Sequence, residues 1–218
     1  FKLRAALADP EPDYVLLLMQ DISEQENTAQ LLKQQNAQLK QRLTDIEQLK
    51  NRIREQSIRD PLTNLYNRRF LNEFMERELA RARRNQKPLA VVMLDLDHFK
   101  QLNDQFGHQT GDKVIEMVAK HLLRQSRRTD VLFRYGGEEF LVILPNTNAT
   151  QALHLAENWR LHVEQAQIFA KHQAITITLS AGISVYPEQG TTAFNLIQAA
   201  DEALYQAKAS GRNQVVMS

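Results

Sequence analysis

The sequence predicts an α/β (α+β) protein, a ferredoxin-like βαββαβ core preceded by one long N-terminal helix. Three observations carry this. From about residue 60 onward, short apolar runs of strand length alternate with longer helical segments. Two of the runs, Val131-Leu132-Phe133 and Phe140-Leu141-Val142-Ile143-Leu144, flank the pair Gly136-Gly137, the pattern of a β-hairpin. Between residues 23 and 57 there is neither glycine nor proline, and Leu32, Leu39, Ile46 and Ile53 recur every seven residues.

In chain order, Tyr14-Val15-Leu16-Leu17-Leu18-Met19 reads as a strand. With Gln20-Asp21-Ile22 it resembles the last strand of a PAS-like sensor domain, so residues 1–22 are expected to be the remnant of an upstream domain. Ser23-Glu24-Gln25-Glu26 fits a capping box at a helix start. Residues 23–59 then read as a coiled-coil signalling helix. Its partner positions are mixed (Asn36, Leu43, Lys50, Ser57), which leaves open a single amphipathic helix packed on another domain. Beyond it the pattern predicts a helix over 69–86, a strand over 88–95 that ends in acids and turns into a helix, and a helix over 108–126. A hairpin follows over 131–144, its Gly-Gly turn expected at positive φ. Then come a helix over 149–167, a strand over 174–185, a helix over 192–209 and a short strand over 214–217. This order predicts an antiparallel sheet with helices on one face, within a catalytic domain at 60–218.

Bulk properties narrow the function. At 218 residues, 43% hydrophobic and 24% charged, the chain has the composition of a soluble globular protein. A net charge of +1 argues against a general nucleic-acid binder. With no cysteine, disulfides and thiolate metal sites are excluded. The six histidines form no His-Glu-x-x-His pattern. No run approaches the roughly 20 apolar residues of a membrane helix, so no direct membrane contact is expected of this piece, and a cytoplasmic location is. The chain opens on Phe1 and is read as a fragment of a longer protein, whose own membrane attachment is left open.

The chemistry gathers at two places. Ala90-Val91-Val92-Met93-Leu94 leads into Asp95-Leu96-Asp97-His98-Phe99-Lys100. A strand ending in carboxylates before a helix offers hard oxygen ligands for Mg²⁺ and free N–H groups for phosphate. Asp97 reads equally well as a cap of that helix or as a ligand. Glu138 and Glu139 follow the glycine pair, and a twisted hairpin tip can bring both near one ligand.

Arg134-Tyr135-Gly136-Gly137-Glu138-Glu139-Phe140 resembles the signature of GGDEF domains, the diguanylate cyclases. The resemblance extends to Asp60-Pro61-Leu62-Thr63-Asn64-Leu65-Tyr66-Asn67-Arg68-Arg69, to Asn103-Asp104, and to Phe106-Gly107-His108 with Gly111-Asp112. It also covers Leu179-Ser180-Ala181-Gly182-Ile183-Ser184, Ala200 to Lys208, and Gly211-Arg212-Asn213. It implies the nucleotidyl cyclase palm fold and condensation of two GTP into cyclic di-GMP and two pyrophosphates across a homodimer. The metal would be Mg²⁺, with Mn²⁺ as an alternative, held by Asp95, Glu139 and the Leu96 carbonyl. Glu138 is implied as a further ligand or as the base that removes the hydroxyl proton. His98, Phe99, Lys100, Lys208 and Arg212 match the phosphate-binding positions.

Asp112 matches the family's guanine-reading acid and Asn103 its partner; a carboxylate acceptor suits the N1–H and N2–H₂ donors that adenine lacks. Arg127-x-x-Asp130 matches the inhibitory site for cyclic di-GMP. The second arginine of some relatives is matched by Asn158, with Arg160 nearby as a substitute. The competing reading is a catalytically silent GGDEF domain that senses GTP or cyclic di-GMP.

Overall fold

The computed structural model describes residues 12–170 and 173–218, with side chains described for 25–168 and 173–218. The chain divides between Glu55 and Gln56 into two compact units.

Among the described residues the first unit is helix α1 (Pro12–Ile58), whose last residues fall in the second. Pro12 occupies the first helical position, where its fixed φ and missing N–H cost nothing. The strand expected over Tyr14–Met19 is therefore corrected to helix, and the helix start expected at Ser23 lies inside it. A six-residue apolar run fits either period, and the nearest helix breakers are Pro12 and Pro61, so the helix continues through it. From Gln25 to Ser57 every side chain is exposed. The seam residues Leu32, Leu39, Ile46 and Ile53 are 54%, 60%, 61% and 57% exposed.

The second unit is a six-stranded sheet in the order β1-β3-β4-β2-β7-β8. Its strands are β1 (Tyr66–Asn67), β2 (Leu89–Leu96), β3 (Val131–Arg134), β4 (Glu139–Pro145), β7 (Leu179–Tyr186) and β8 (Val215–Met217). β2 lies between β4 and β7, antiparallel to both, and β3 pairs antiparallel with β4. That inner quartet has the ferredoxin-like order; the edge strands β1 and β8 run parallel to their neighbours. The helices are α2 (Arg68–Asn85), α3 (Phe99–Phe106), α4 (His108–Gln125), α5 (Ala149–Gln165) and α6 (Ala193–Ala209). The strand expected over 174–185 is two, because β6 (Gln173–Ile175) turns back on β5 (Ile168–Ala170) as a separate hairpin before β7.

Side-chain alternation splits the core in two. Ala90, Val92, Leu94, Phe140, Val142 and Leu144 pack with Val114, Val118, Ala156 and Trp159 of α4 and α5. Val91, Met93, Leu141 and Ile143 pack with Leu71, Met75, Leu196 and Leu204 of α2 and α6. Helices thus cover both faces, not one. Both faces of the central strands are apolar, and leaving either open would expose it to water. Gly182 of β7 permits the close seat of α6, since a Cβ there would collide with the backbone of Ala200 and Leu204. That seat brings the end of α6 to the end of β2.

Candidate active site

Asp95 and Glu139 are direct cross-strand partners in the β2–β4 register. Partners point to the same side of a sheet, and here that side carries α6. Lys208 of α6 reaches the Asp95 carboxylate, Nζ to Oδ2 at 2.8 Å, and the Asp95 side chain is only 10% exposed. Burial pushes the Asp95 pKa above the usual carboxylate value; Lys208 pulls it down, and the charges of Glu138 and Glu139 add to the rise.

One cleft gathers most of the residues singled out from the sequence. Asp95, Leu96, Asp97, His98, Phe99, Lys100 and Gln101 contribute to its lining. Glu138, Lys208 and Arg212 complete it. At its floor the chain turns from β2 into α3 through His98, left-handed at φ 57°. The first N–H groups of α3 have no acceptor within the helix, which makes this end a natural seat for phosphate oxygens. Glu139 lies beside this lining. Among the described residues no three carboxylate or imidazole side chains converge on one point, and Lys208 holds the Asp95 oxygen. The donor set nevertheless fits a hard divalent cation. It offers carboxylate oxygens and a strand-end carbonyl.

The hairpin differs from the expected turn. Left-handed glycines are Gly107 and Gly211, not Gly136 or Gly137. Tyr135 N–H and Gly136 N–H both donate to the Glu139 carbonyl, at 2.8 and 3.3 Å. At 136 a Cβ would meet the Glu139 carboxylate, which would have to move aside. At 137 a Cβ would meet nothing. Arg134, not singled out from the sequence, braces this tip. Its Nε and Nη2 donate to the Gly137 carbonyl at 3.1 and 2.8 Å. Its Nη1 reaches both oxygens of Asp60 at 3.0 and 3.1 Å. Asp60 also accepts from Thr63 N–H and Oγ1. Its burial raises its pKa, but Thr63 and Arg134 outweigh that and hold it below the ordinary value.

Asn103 and Asp112 stand at the α3–α4 corner, outside the cleft lining. Asn103 Oδ1 is buried without a hydrogen-bond partner, against Gly111. Asp112 is exposed. Arg127 and Asp130 share the turn after α4: Arg127 N–H donates to Asp130 Oδ2 at 2.7 Å, and Asp130 N–H to the Arg127 carbonyl at 3.0 Å. Burial raises the Asp130 pKa, opposed by its bonds to Arg127 and Thr129.

Two sequence readings are corrected here. Asp97 does not cap α3, although it belongs to the cleft lining; its Oδ1 accepts from Ser180 and its Oδ2 from Thr178 and the backbone N–H of Asn213. Arg160 is not a spare cation near Arg127, because Glu157, Glu164 and Asn213 hold it. The sequence offered no signal for either role beyond the presence of the charged residues.

Residues 57–214 match the family model described as "Diguanylate cyclase, GGDEF domain". The response regulator PleD of Caulobacter vibrioides is 41% identical over 164 residues, 74% of this chain and 36% of that protein. Diguanylate cyclase DosC of Escherichia coli is 42% identical over 158 residues, 72% of this chain and 34% of that protein. The chain thus spans about a third of the length of these curated relatives. Among solved structures, the coiled coil and GGDEF domain of DgcB from Caulobacter crescentus in complex with c-di-GMP aligns with a TM-score of 0.75. It is 32% identical and covers 84% of this chain and 98% of that one. The active GGEEF domain of a diguanylate cyclase from Vibrio cholerae aligns with a TM-score of 0.65 at 36% identity, covering 69% of this chain and 96% of that one.

Proposed function

The chain belongs to the GGDEF family of diguanylate cyclase domains, and from that premise we propose that it condenses two GTP into cyclic di-GMP and two pyrophosphates. The observation that carries this reading is the cross-strand pair Asp95–Glu139 set beside Lys208, Arg212 and the start of α3. Carboxylates for a cation and cations for a triphosphate meet at one strand end.

Asp95, Glu139, the Leu96 carbonyl and Glu138 would hold Mg²⁺, or Mn²⁺. Bound there, the ion supplies charge neutralisation at the α-phosphate and lowers the pKa of the attacking 3′-hydroxyl. Lys208, which pairs with Asp95, would be available to pair with a phosphate oxygen. Lys100, Arg212 and the N–H groups of His98 and Phe99 bind and orient the phosphates, which is most of what phosphoryl transfer asks of a protein. Glu138 lines the cleft and would serve either as a further ligand or as the base that takes the hydroxyl proton. At the α3–α4 corner, Asp112 accepts from the guanine edge, and Asn103, its Oδ1 turned inward, presents its amide N–H₂ to a guanine acceptor.

One domain binds one GTP, so two chains must face each other for each 3′-hydroxyl to reach the other's α-phosphorus. The exposed seam of α1 is the surface expected to pair them as a parallel coiled coil. Product inhibition is assigned to Arg127, whose guanidinium can fork onto phosphate, with Asp130 shaping the turn. The silent-sensor reading is disfavoured, because the sequence retains Asp95, Glu138, Glu139, Asn103 and Asp112.

Incubating the protein with GTP and Mg²⁺ should yield cyclic di-GMP. Glu139→Gln should reduce the rate by on the order of 10²–10⁴-fold, the range for a positioned catalytic group. In the same assay, added cyclic di-GMP should inhibit the parent more than Arg127→Ala. No product from the parent, or full activity of Glu139→Gln, overturns the reading.

A further inference from the structure

Asp97 is 3% exposed, and its carboxylate is saturated by neutral donors. Ser180 Oγ donates to Oδ1 at 2.7 Å, and Thr178 Oγ1 to Oδ2 at 2.8 Å. The third donor is the backbone N–H of Asn213, to Oδ2 at 3.0 Å. A buried carboxylate bonded this way links the end of β2 to the start of β7 and to the loop after α6.

That loop has an unusual backbone. Gly211, Arg212 and Asn213 have φ values of 114°, 64° and 46°, three successive residues at positive φ. The left-handed region is sterically disfavoured for any residue with a Cβ, less so for asparagine. Arg212 is thus turned back toward the cleft by a conformation that needs outside support. The support comes from three elements. Arg212 N–H donates to the Ala207 carbonyl of α6 at 3.0 Å. From α5, Arg160 Nη1 donates to Asn213 Oδ1 at 2.9 Å, and Asn213 Nδ2 donates to Glu164 Oε1 at 2.8 Å. A cation on one side of the amide and a carboxylate on the other fix its orientation. From the turn after β2, Asp97 accepts from the backbone N–H of Asn213.

We propose that Asp97 is a positioning residue for GTP: its carboxylate, with the Arg160–Glu164 grip on Asn213, holds the left-handed turn that places Arg212 at the phosphate cleft beside Lys208. The proposal rests on the cyclase reading for the identity of the ligand. It assigns Asp97 no contact with metal or substrate; the residue acts through Arg212.

The test is a double-mutant cycle with two readouts, the KM for GTP and the affinity for a non-hydrolysable α,β-methylene GTP analogue measured by calorimetry. Asp97→Ala and Arg212→Ala should each weaken both by about tenfold, with a smaller effect on kcat. The double variant should be no weaker than Arg212→Ala alone, because the two act as one unit. Asp97→Asn keeps a carbonyl oxygen for Asn213 N–H and should restore near-parental affinity. If Asp97→Ala does not fold, Asn213 carries the test. Asn213→Gly keeps the left-handed φ and the N–H that Asp97 accepts but drops the side-chain grip, so it should lose less affinity than Asn213→Val, which should lose as much as Arg212→Ala does. Additive losses in the double variant, or equal affinities for Asn213→Gly and Asn213→Val, overturn the proposal. If the parent binds the analogue but makes no cyclic di-GMP, the cyclase reading fails while the cycle still reads the role of Asp97.

Discussion

Asp112 stands exposed near the start of α4, one residue after the glycine that packs on Asn103. An acceptor there discriminates bases, whereas Lys100 offers charge that any nucleoside triphosphate shares. Asp112→Ala should lower the GTP-over-ATP preference by about 10- to 100-fold, the worth of a hydrogen bond to a charged group. Lys100→Ala should weaken both nucleotides alike; competition assays with the two nucleotides check this. Asp60 is a structural counterpart. Its pKa lies below the ordinary value of 3.8, so ionised Asp60 favours the folded state. That contribution is complete above the ordinary value and is lost as pH falls below it. Asp60→Asn should therefore destabilise at neutral pH, by about 1.5–3 kcal/mol, with the gap to the parent closing at the acid end. Denaturant melts at several pH values measure it. Motif spacing made Asp60, Asp95 and Asp112 legible. It left Asp97 ambiguous, because the partners that decide its role are 81, 83 and 116 residues away.

At the scale of elements, the hairpin shows how a motif can be read correctly for a wrong reason. Two glycines between apolar runs do mark the β3–β4 turn, but neither has positive φ, and what lies against Gly136 is the Glu139 carboxylate. Gly136→Ala should push that carboxylate aside and reduce turnover by about 10²-fold, within the range for a displaced catalytic group, while changing Tm little. Gly137→Ala, whose Cβ meets nothing, should leave turnover near parental. Equal effects of the two would show that the turn, not the carboxylate, requires glycine. The Tyr14–Met19 run failed for a related reason. Six apolar residues carry too little periodicity to separate strand from helix, and the uninterrupted helix was decided by the absence of breakers from Asp13 to Asp60.

At the scale of the whole molecule, the exposed seam of α1 is apolar surface that a lone chain leaves in water. Pairing two chains along it raises the effective concentration of one GTP site beside another. Charged replacements at Leu39 and Ile46 should make the protein monomeric at low concentration and make specific activity depend steeply on dilution. Sedimentation and activity measured across a dilution series check both; an unchanged dimer would remove this role from the helix. Local and periodic features were legible along the chain alone: the heptads, the strand runs, the hairpin and the residues that carry charge. Alternation along β2 and β4 already set Asp95 and Glu139 on one face once their register was known. The tertiary structure decided the rest, because it depends on contacts between segments far apart in the chain. Helices cover both faces of the sheet because both faces are apolar. Lys208 reaches Asp95 because Gly182 lets α6 lie close. Arg160 turned from a free cation into a support for Asn213 because α5 packs where it can hold the turn after α6. A carboxylate's role follows from which donors reach it, and that is a property of the folded chain.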